Sequence, residues 1–550
     1  MNKKFPIIVG SLILVGAVCG GLFGRMPRGA SAEAGVTKER VVSEFSEATD
    51  LIGQNFAGKL DLEKISDTSM QHMLWTLDPH SSFFTRDDFR KLDEEQSSQF
   101  YGIGVSIFQH RDGVYVQGVV PGTPAEKAGL RYGDRIAAVE GKDAKDWTSA
   151  EVSKNVRGQQ GTSVHIKIDR ASSSTPIELD IVRGGVPLPS VRNYFMLPNA
   201  IGYVGLTGGF QQTTAEELRS SIADLKKQGM KSLILDLRGN PGGILDQAIQ
   251  VVSQFVPAGK TVVSVKASRF DSFRELKSSG SSPDMFPLVV MINGGSASAS
   301  EIVSGAIQDY GRGLLVGTDS FGKGLVQHVY KLPFGTGLTL TTARYYTPYG
   351  RSLQRDYSSG SIYDYYTHLA DSPDDETDAS TKPAGSPITT PDGRVLYGGR
   401  GIEPDVRVPA QKQNALKGRI NEAAFYFVRQ VAAGKVAGLE SYKADKQNFK
   451  TSLAPTDFQI NDRIMDAFRS FAASDKANGL TVENISGLLE YAKTRVRDEI
   501  ATATFSTEAG VQVLLETDPQ VVKAIESMPQ AGKMVETAGL LPFAKRPSSN

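Results

Sequence analysis

Apolar and polar positions change their spacing several times along the 550 residues, and each change predicts a different kind of structure. Met1 to Gly24 opens with Lys3 and Lys4 and then runs almost unbroken apolar from Phe5 onward, the pattern of an export segment and not of a folded element. From Val41 to about Ser98 the chain is polar with apolar residues at helical spacing, as at Met70, Met73, Leu74 and Leu77, which predicts a helical packing or dimerising segment. Phe100 to about Arg183 switches to short β-branched runs between turns, among them Val105-Ser-Ile107, Val114 to Val120, Arg135 to Val139, Val164 to Ile168 and Ile177 to Ile181. Strands at that spacing predict a small β-rich module. Val186 to about Val408 alternates strand-like runs (Ile201–Leu206, Ser232–Leu237, Leu288–Ile292, Leu314–Val316) with helical spacing at Ala215–Leu225 and Leu245–Phe255, the signature of an α/β core. Gln411 to about Thr537 returns to helical spacing, as in Ala423 to Val428, and forms a predicted helical tail. Asp371–Thr390, rich in Asp, Ser, Thr and Pro, reads as an exposed loop, and Lys545–Asn550 as a disordered end.

This length exceeds one core, so several domains are expected, with boundaries at 1–32, 37–98, 99–185, 186–408 and 411–540. Lys+Arg and Asp+Glu each number 61, and a nucleic-acid partner would call for a basic excess. Cys19 is the only cysteine and lies in the export segment, so the folded part has neither a disulfide framework nor a thiol nucleophile. The six histidines form no HExxH or similar pair, so no metal or other cofactor is called for. Ala30-Ser-Ala32 offers a small-x-small cleavage site, yet the apolar stretch is about 20 residues, long enough to span a bilayer if uncut. Cleaved signal and retained membrane anchor both remain open. Val18 argues against a lipoprotein site at Cys19. Either way the working domains are expected outside the cytoplasm, in a periplasm or its equivalent.

Candidate chemistry sits in three stretches: Asp236-Leu-Arg-Gly-Asn-Pro-Gly-Gly243, Gly295-Ser-Ala-Ser-Ala-Ser-Glu301 and Phe321-Gly-Lys-Gly324. The first follows a predicted strand, and its glycines can turn adjacent N–H groups into one concavity, as an oxyanion hole requires. A phosphate-binding turn is the rival reading, but neither GxxxxGK[ST] nor GxGxxG is present. The serine run opens a predicted helix, where the positive end of the dipole favours a developing oxyanion; a serine there is also an ordinary N-cap. Ser296, Ser298 and Ser300 compete as nucleophile. Lys323 is a poor base unless burial lowers its pKa, and the flanking Gly322 and Gly324 with apolar Phe321 and Leu325 permit that burial.

In order and spacing these motifs resemble the C-terminal processing peptidases, or tail-specific proteases, which use a Ser/Lys pair. The resemblance implies that Ser298, the middle serine, is the nucleophile, Lys323 the general base and Gln327 the group that orients the lysine. It assigns oxyanion donors to the loop of Gly242 and Gly243 and to Ala299, and gives Asp309 a structural place near the site. The implied architecture is multidomain α/β: an N-terminal helical segment, a β-rich PDZ domain, a protease core of crotonase or Clp-protease type, and the helical tail. Two histidines offer rival bases, His80 in Leu77-Asp-Pro-His-Ser81 and His328. His80 has no accompanying serine motif, and His328 in a strand points opposite to Gln327.

Gly122-Thr-Pro-Ala-Glu-Lys-Ala-Gly-Leu130 and Gly133-Asp-Arg-Ile136 look like a PDZ domain, with Tyr101-Gly-Ile-Gly-Val105 at the place of its carboxylate-binding loop. Gly102, Ile103, Gly104 and Val105 would converge on a terminal carboxylate, and the following strand leaves an edge for an extended peptide. Val152 and Val156, after the cap candidate Thr148, line the side-chain pocket with Ile107 or serve as core valines. The function implied is an exported serine endopeptidase acting on protein substrates with free C-termini. An activating lipoprotein or adaptor partner and a homo-oligomer fit the same family picture. A catalytically silent PDZ scaffold that binds protein C-termini is the alternative; a crotonase-like acyl transferase would leave the PDZ module unexplained.

Overall fold

The computed structural model describes residues 36–267, 272–280, 282–358, 365–366, 385–390, 393–454 and 456–537. The export segment, Cys19, the Ala30–Ala32 site, most of the 371–390 loop and the 545–550 end lie outside the described residues. The chain divides into two units, one ending at Ser69 and one beginning at Met70. In the first, helix Lys38–Asn55 is capped by Thr37, whose hydroxyl oxygen accepts from the Arg40 N–H at 3.3 Å. None of its residues is buried, and Val41, Val42, Phe45, Leu51 and Ile52 are exposed. Among the described residues no helix is long and apolar enough to cross a membrane.

The second unit is built on a six-stranded sheet in the order Asn193–Leu197, Ile201–Gly205, Ser232–Asp236, Leu288–Ile292, Leu314–Gly317, Val406–Arg407. All pairs are parallel except the first. Ser232–Asp236 and Leu288–Ile292 are buried at every residue, which a parallel sheet requires when both faces are covered. Leu233, Leu235, Val290 and Ile292 pack on helices Thr214–Lys227, Leu245–Ser253 and Ala299–Asp309. Ile234, Val289, Met291 and Val316, pointing the other way, pack on Val521, Ala524, Met528 and Ala531 of the tail helices Pro519–Glu526 and Met528–Thr537. The helical tail therefore supplies the second cover of the core sheet.

The PDZ module is a sheet in the order Val105–His110, Gly113–Val119, Arg135–Val139, Ser163–Asp169, Ile177–Val182, with helix Ser149–Val156 against it. Thr148 caps that helix in a capping box with Glu151, as its spacing suggests. The tail binds this module too. His110 stacks on Phe425 with ring centres 3.9 Å apart, Arg111 pairs with Asp475 at 2.5 Å, and the Tyr132 hydroxyl donates to Glu499 at 2.7 Å.

A second, antiparallel sheet joins Ser82–Phe84, Gly337–Tyr346, Thr261–Ala267 and Ser272–Lys277, with Leu325–Lys331 also paired to Gly337–Tyr346. Segment 37–98 is helical at Lys38–Asn55, Leu62–Trp75 and Arg86–Gln96, with one break after the second helix. The helix ends at Trp75, the Asp78-Pro79 turn breaks the pattern, and Ser82 pairs with Thr339. Of the apolar residues at helical spacing only Leu74 is buried; Met70, Met73 and Leu77 are exposed.

Candidate active site

Three loops leave the C-terminal ends of neighbouring core strands and are stitched into one body. Asn293 Oδ1 accepts from the N–H groups of Gly239 (2.8 Å) and Gly295 (3.1 Å). The Ala297 N–H donates to the Asn240 carbonyl at 3.0 Å, and the Phe321 N–H donates to the Ser296 carbonyl at 2.9 Å.

Within the serine run the three hydroxyls have different fates. Ser296 is fully buried, with its Oγ donating to the Leu237 carbonyl at 2.8 Å and accepting from the Asn293 N–H at 3.0 Å. Ser300 is equally buried, donating to the Asn240 carbonyl at 2.9 Å. Ser298 is partly exposed, and its backbone N–H donates to Glu301 in a capping box. It occupies the N-cap of helix Ala299–Asp309 with φ 55° and ψ −109°, a conformation costly for any residue with a Cβ and recurrent at functional turns. The strain is held by Glu301, whose carboxylate is fully buried. Glu301 Oε2 accepts from the N–H groups of Ser298 and Lys323, both at 2.8 Å, while Oε1 accepts from Ser320 Oγ at 2.5 Å and the Gly322 N–H at 2.6 Å. One carboxylate thus ties the Ser298 turn to the Lys323 loop.

Gly322 has φ +88° and lies against Arg355, and a Cβ on Gly324 would meet the Gln354 backbone nitrogen at 2.4 Å. The loop can pack this closely only with glycine on both sides of Lys323. Burial lowers the Lys323 pKa from the ordinary lysine value, against the pull of Glu301 and Asp78, which raise it. Gln327 is partly buried and donates through Nε2 to Thr341 Oγ1 at 2.6 Å, while its Oε1 is buried without a protein partner. His328, next along the strand, is exposed. Asp309 is fully buried at the far end of helix Ala299–Asp309, paired with Arg351 at 2.6 Å and accepting from the Tyr349 N–H at 2.9 Å.

Of the oxyanion candidates, Gly242 (φ +96°) presses on the serine turn: a Cβ there would meet Ala297 O at 2.7 Å and Ala299 N at 2.9 Å. Its own N–H, however, donates to Asn240 Oδ1 at 2.9 Å. Gly243 packs on Phe210 in a parallel bridge. Ala299 opens the helix, where an N–H has no intrahelical acceptor. In the PDZ module Gly104 (φ +88°) leaves no room for a Cβ beside Thr123. Gly102 ends strand Gln99–Gly102, Val105 begins the edge strand, and Ile107 is partly buried on it. Ile103, Val152 and Val156 lie in the module's core, so the two helix valines serve its packing in this state.

Sequence reasoning assigns no role to Glu301, Arg238, Asp78 or Thr341. Glu301 was within reach, since Ser-x-x-Glu is the spacing of a capping box. Arg238 precedes the glycine turn and is held by Asp236 and, through Nη1, by Asp518 and Gln520 of the tail at 2.7 Å each. No local pattern announces that contact. Among the described residues no group of three or more His, Cys, Asp or Glu is placed to hold a metal ion.

Fold and site together define a serine-type peptidase that carries a PDZ module. The peptidase family S41 model matches residues 200–365 and the PDZ domain model residues 91–169. A carboxy-terminal-processing protease of Bartonella bacilliformis is 35% identical over 317 residues, covering 57% of this chain and 72% of the relative. The carboxy-terminal processing protease CtpA of Bacillus subtilis is 33% identical over 326 residues, covering 59% and 68%. Among solved structures, a photosystem II D1 C-terminal processing protease is 27% identical, covering 67% of this chain and 87% of that one, at a TM-score of 0.35. The chain belongs to the carboxy-terminal processing proteases of peptidase family S41.

Proposed function

We propose that this protein is an exported endopeptidase that engages substrate C-termini through its PDZ module and cleaves peptide bonds by a Ser298/Lys323 acyl-enzyme mechanism. The observation that carries it is the sorting of the three serines. Ser296 and Ser300 hold backbone carbonyls, and Ser298 alone is partly exposed on a strained turn. Neutral Lys323 takes the Ser298 proton as Oγ attacks the scissile carbonyl, and returns it to the leaving amine. Water then resolves the acyl-enzyme with the same amine as base. Gln327 orients that amine. The N–H groups of Ala299 and Gly243 are the proposed oxyanion donors, and Gly242 admits the close approach of loop and turn. Removing one such donor typically costs about 2.7–4 kcal/mol of transition-state stabilisation.

Substrate C-termini are proposed to bind at Gly102 to Val105, with the chain adding to the free edge of Val105–His110. The apolar leader supports an extracytoplasmic, periplasmic placement, by a cleaved signal or an anchor in the inner membrane. Exposed apolar residues along Lys38–Asn55 support self-association or docking of an activating lipoprotein or adaptor. The test is degradation of an unfolded protein with a nonpolar C-terminus. Ser298→Ala should abolish turnover, whereas Ser300→Ala should lower stability by about 1 kcal/mol through one lost hydrogen bond and Ser296→Ala by about 1–3 kcal/mol through the orphaned Asn293 N–H, both keeping measurable activity. Turnover by folded Ser298→Ala would refute the nucleophile assignment.

A further inference from the structure

The Asp78-Pro-His-Ser81 turn has no part in the chemistry above, yet it stands against the lysine strand. Asp78 Oδ1 accepts from the N–H groups of His80 (2.8 Å) and Ser81 (2.9 Å), which closes the turn on itself. Ser81 is fully buried; its Oγ donates to Asp78 Oδ2 at 2.7 Å and accepts from the Thr341 N–H at 3.2 Å. Thr341 lies directly across the ladder from Gln327, and its Oγ1 accepts from Gln327 Nε2 at 2.6 Å. With Nε2 on Thr341, the oxygen Oε1 is the atom left buried and without a partner, and a desolvated acceptor of that kind calls for a donor.

We propose that Asp78, Ser81 and Thr341 form a positioning relay that presents the Gln327 amide oxygen to the Lys323 amine. The inference rests on Lys323 being the base. The Lys323 amine is the donor this proposal assigns to it, and the turn lies close to that amine: Asp78 raises the Lys323 pKa, while burial and Lys323 hold His80 neutral, at about 3. His80 is fixed from behind by Tyr365, whose hydroxyl lies 2.7 Å from Nε2 and also accepts from Gln354 Nε2 at 3.1 Å. Gln354 Oε1 in turn accepts from the Gly324 N–H at 2.9 Å. The turn therefore grips the lysine segment from two sides, at Gly324 and at Gln327. The groups facing Lys323 are Glu301 from helix Ala299–Asp309 and Asp78 with neutral His80 from the turn; Arg355 faces His80 and Tyr365.

The experiment measures kcat and KM of the full chain on an unfolded substrate across pH for Thr341→Val, Thr341→Ser, Gln327→Ala, Lys323→Ala and the Gln327→Ala/Thr341→Val pair. Thr341→Val should lower kcat about tenfold, the scale of one positioning hydrogen bond, with KM little changed. Thr341→Ser should restore most of the loss. In the Gln327→Ala background Thr341→Val should add nothing, because the relay acts only through that amide. If Thr341→Val does not fold, Ser81→Ala takes its place, with a smaller kcat loss that also vanishes in Gln327→Ala. Full activity in Thr341→Val beside an inactive Lys323→Ala would overturn the relay alone, as would losses that multiply in the double variant. Turnover surviving in Lys323→Ala would overturn the lysine reading and the relay with it.

Discussion

Replacing Glu301 by glutamine keeps the shape of the buried side chain and removes half of its accepting capacity. Four donors now converge on two carboxylate oxygens: Ser298 N–H, Lys323 N–H, Gly322 N–H and Ser320 Oγ. A glutamine can leave its oxygen on the Ser298/Lys323 side and place its NH2 toward Ser320, whose hydroxyl can turn to accept. Gly322 then faces a donor. One orphaned buried N–H costs about 1–3 kcal/mol, and reducing two charge-assisted bonds to neutral ones costs about 1 kcal/mol each. Relief of the buried charge, whose pKa burial raises, returns part of this, so the net loss is about 2–4 kcal/mol. The same change loosens the Ser298 turn from the Lys323 loop, and misplacing reacting groups by about 1 Å can cost about a hundredfold in rate. Glu301→Gln should therefore fold, unfold in less urea, and lose about two orders of magnitude in kcat. Its residual activity should begin at lower pH, because the carboxylate that raises the Lys323 pKa is gone. Urea unfolding with a pH–rate profile measures both. Wild-type kcat in Glu301→Gln would show that the clamp does not hold the catalytic geometry.

Other expectations follow from the same contacts. Activity should rise with pH through the lowered Lys323 pKa, and Lys323→Arg should not rescue it, since a guanidinium stays protonated; an active arginine variant would end the neutral-amine mechanism. Between that lowered pKa and the ordinary lysine value the unfolded chain binds the extra proton, so stability should rise with pH across this window, a slope that Lys323→Met should remove. Asp498 and Glu499 behave oppositely: burial raises both, Asp498 to about 8. The native chain then holds more protons than the unfolded one from the carboxylate range up to that value. Contact between the tail and the PDZ module should therefore weaken as pH rises there, read by hydrogen exchange in strand Gly113–Val119. An identical pH profile in Glu499→Gln would contradict it. A free-acid peptide should bind the Ser298→Ala protein more tightly than its amidated twin, and equal affinities in a titration would take carboxylate reading away from Gly102–Val105.

What the sequence made legible was whatever depends on spacing along the chain. Strands such as Leu288–Ile292 and the capped helix Ser149–Val156 follow local pattern and stand where that pattern put them. The three candidate stretches were visible because a glycine turn, a serine at a helix start and a lysine between glycines are each short-range chemistry. Contacts that close over long separations were not. Ser81 reaches Thr341 across 260 residues, and Arg238 reaches Asp518 across 280. Periodicity also passed over the turn at Pro79, beyond which the chain pairs as strand Ser82–Phe84 before it resumes as helix Arg86–Gln96.

The helical tail marks the limit most clearly. Its amphipathic spacing announces helices but not what their apolar faces cover. The core strands carry the missing half of the information, since they are apolar at successive positions and alternate side chains must point to opposite faces. Crossover helices cover one face, and a second cover has to come from elsewhere in the chain. Residues 519–537 supply it. On the way the tail fixes Arg238 at the foot of the glycine turn and takes Tyr115 and Tyr132 of the PDZ module into its own core. The tail thus touches both the PDZ module and Arg238 at the glycine turn, so a change in how it packs reaches both.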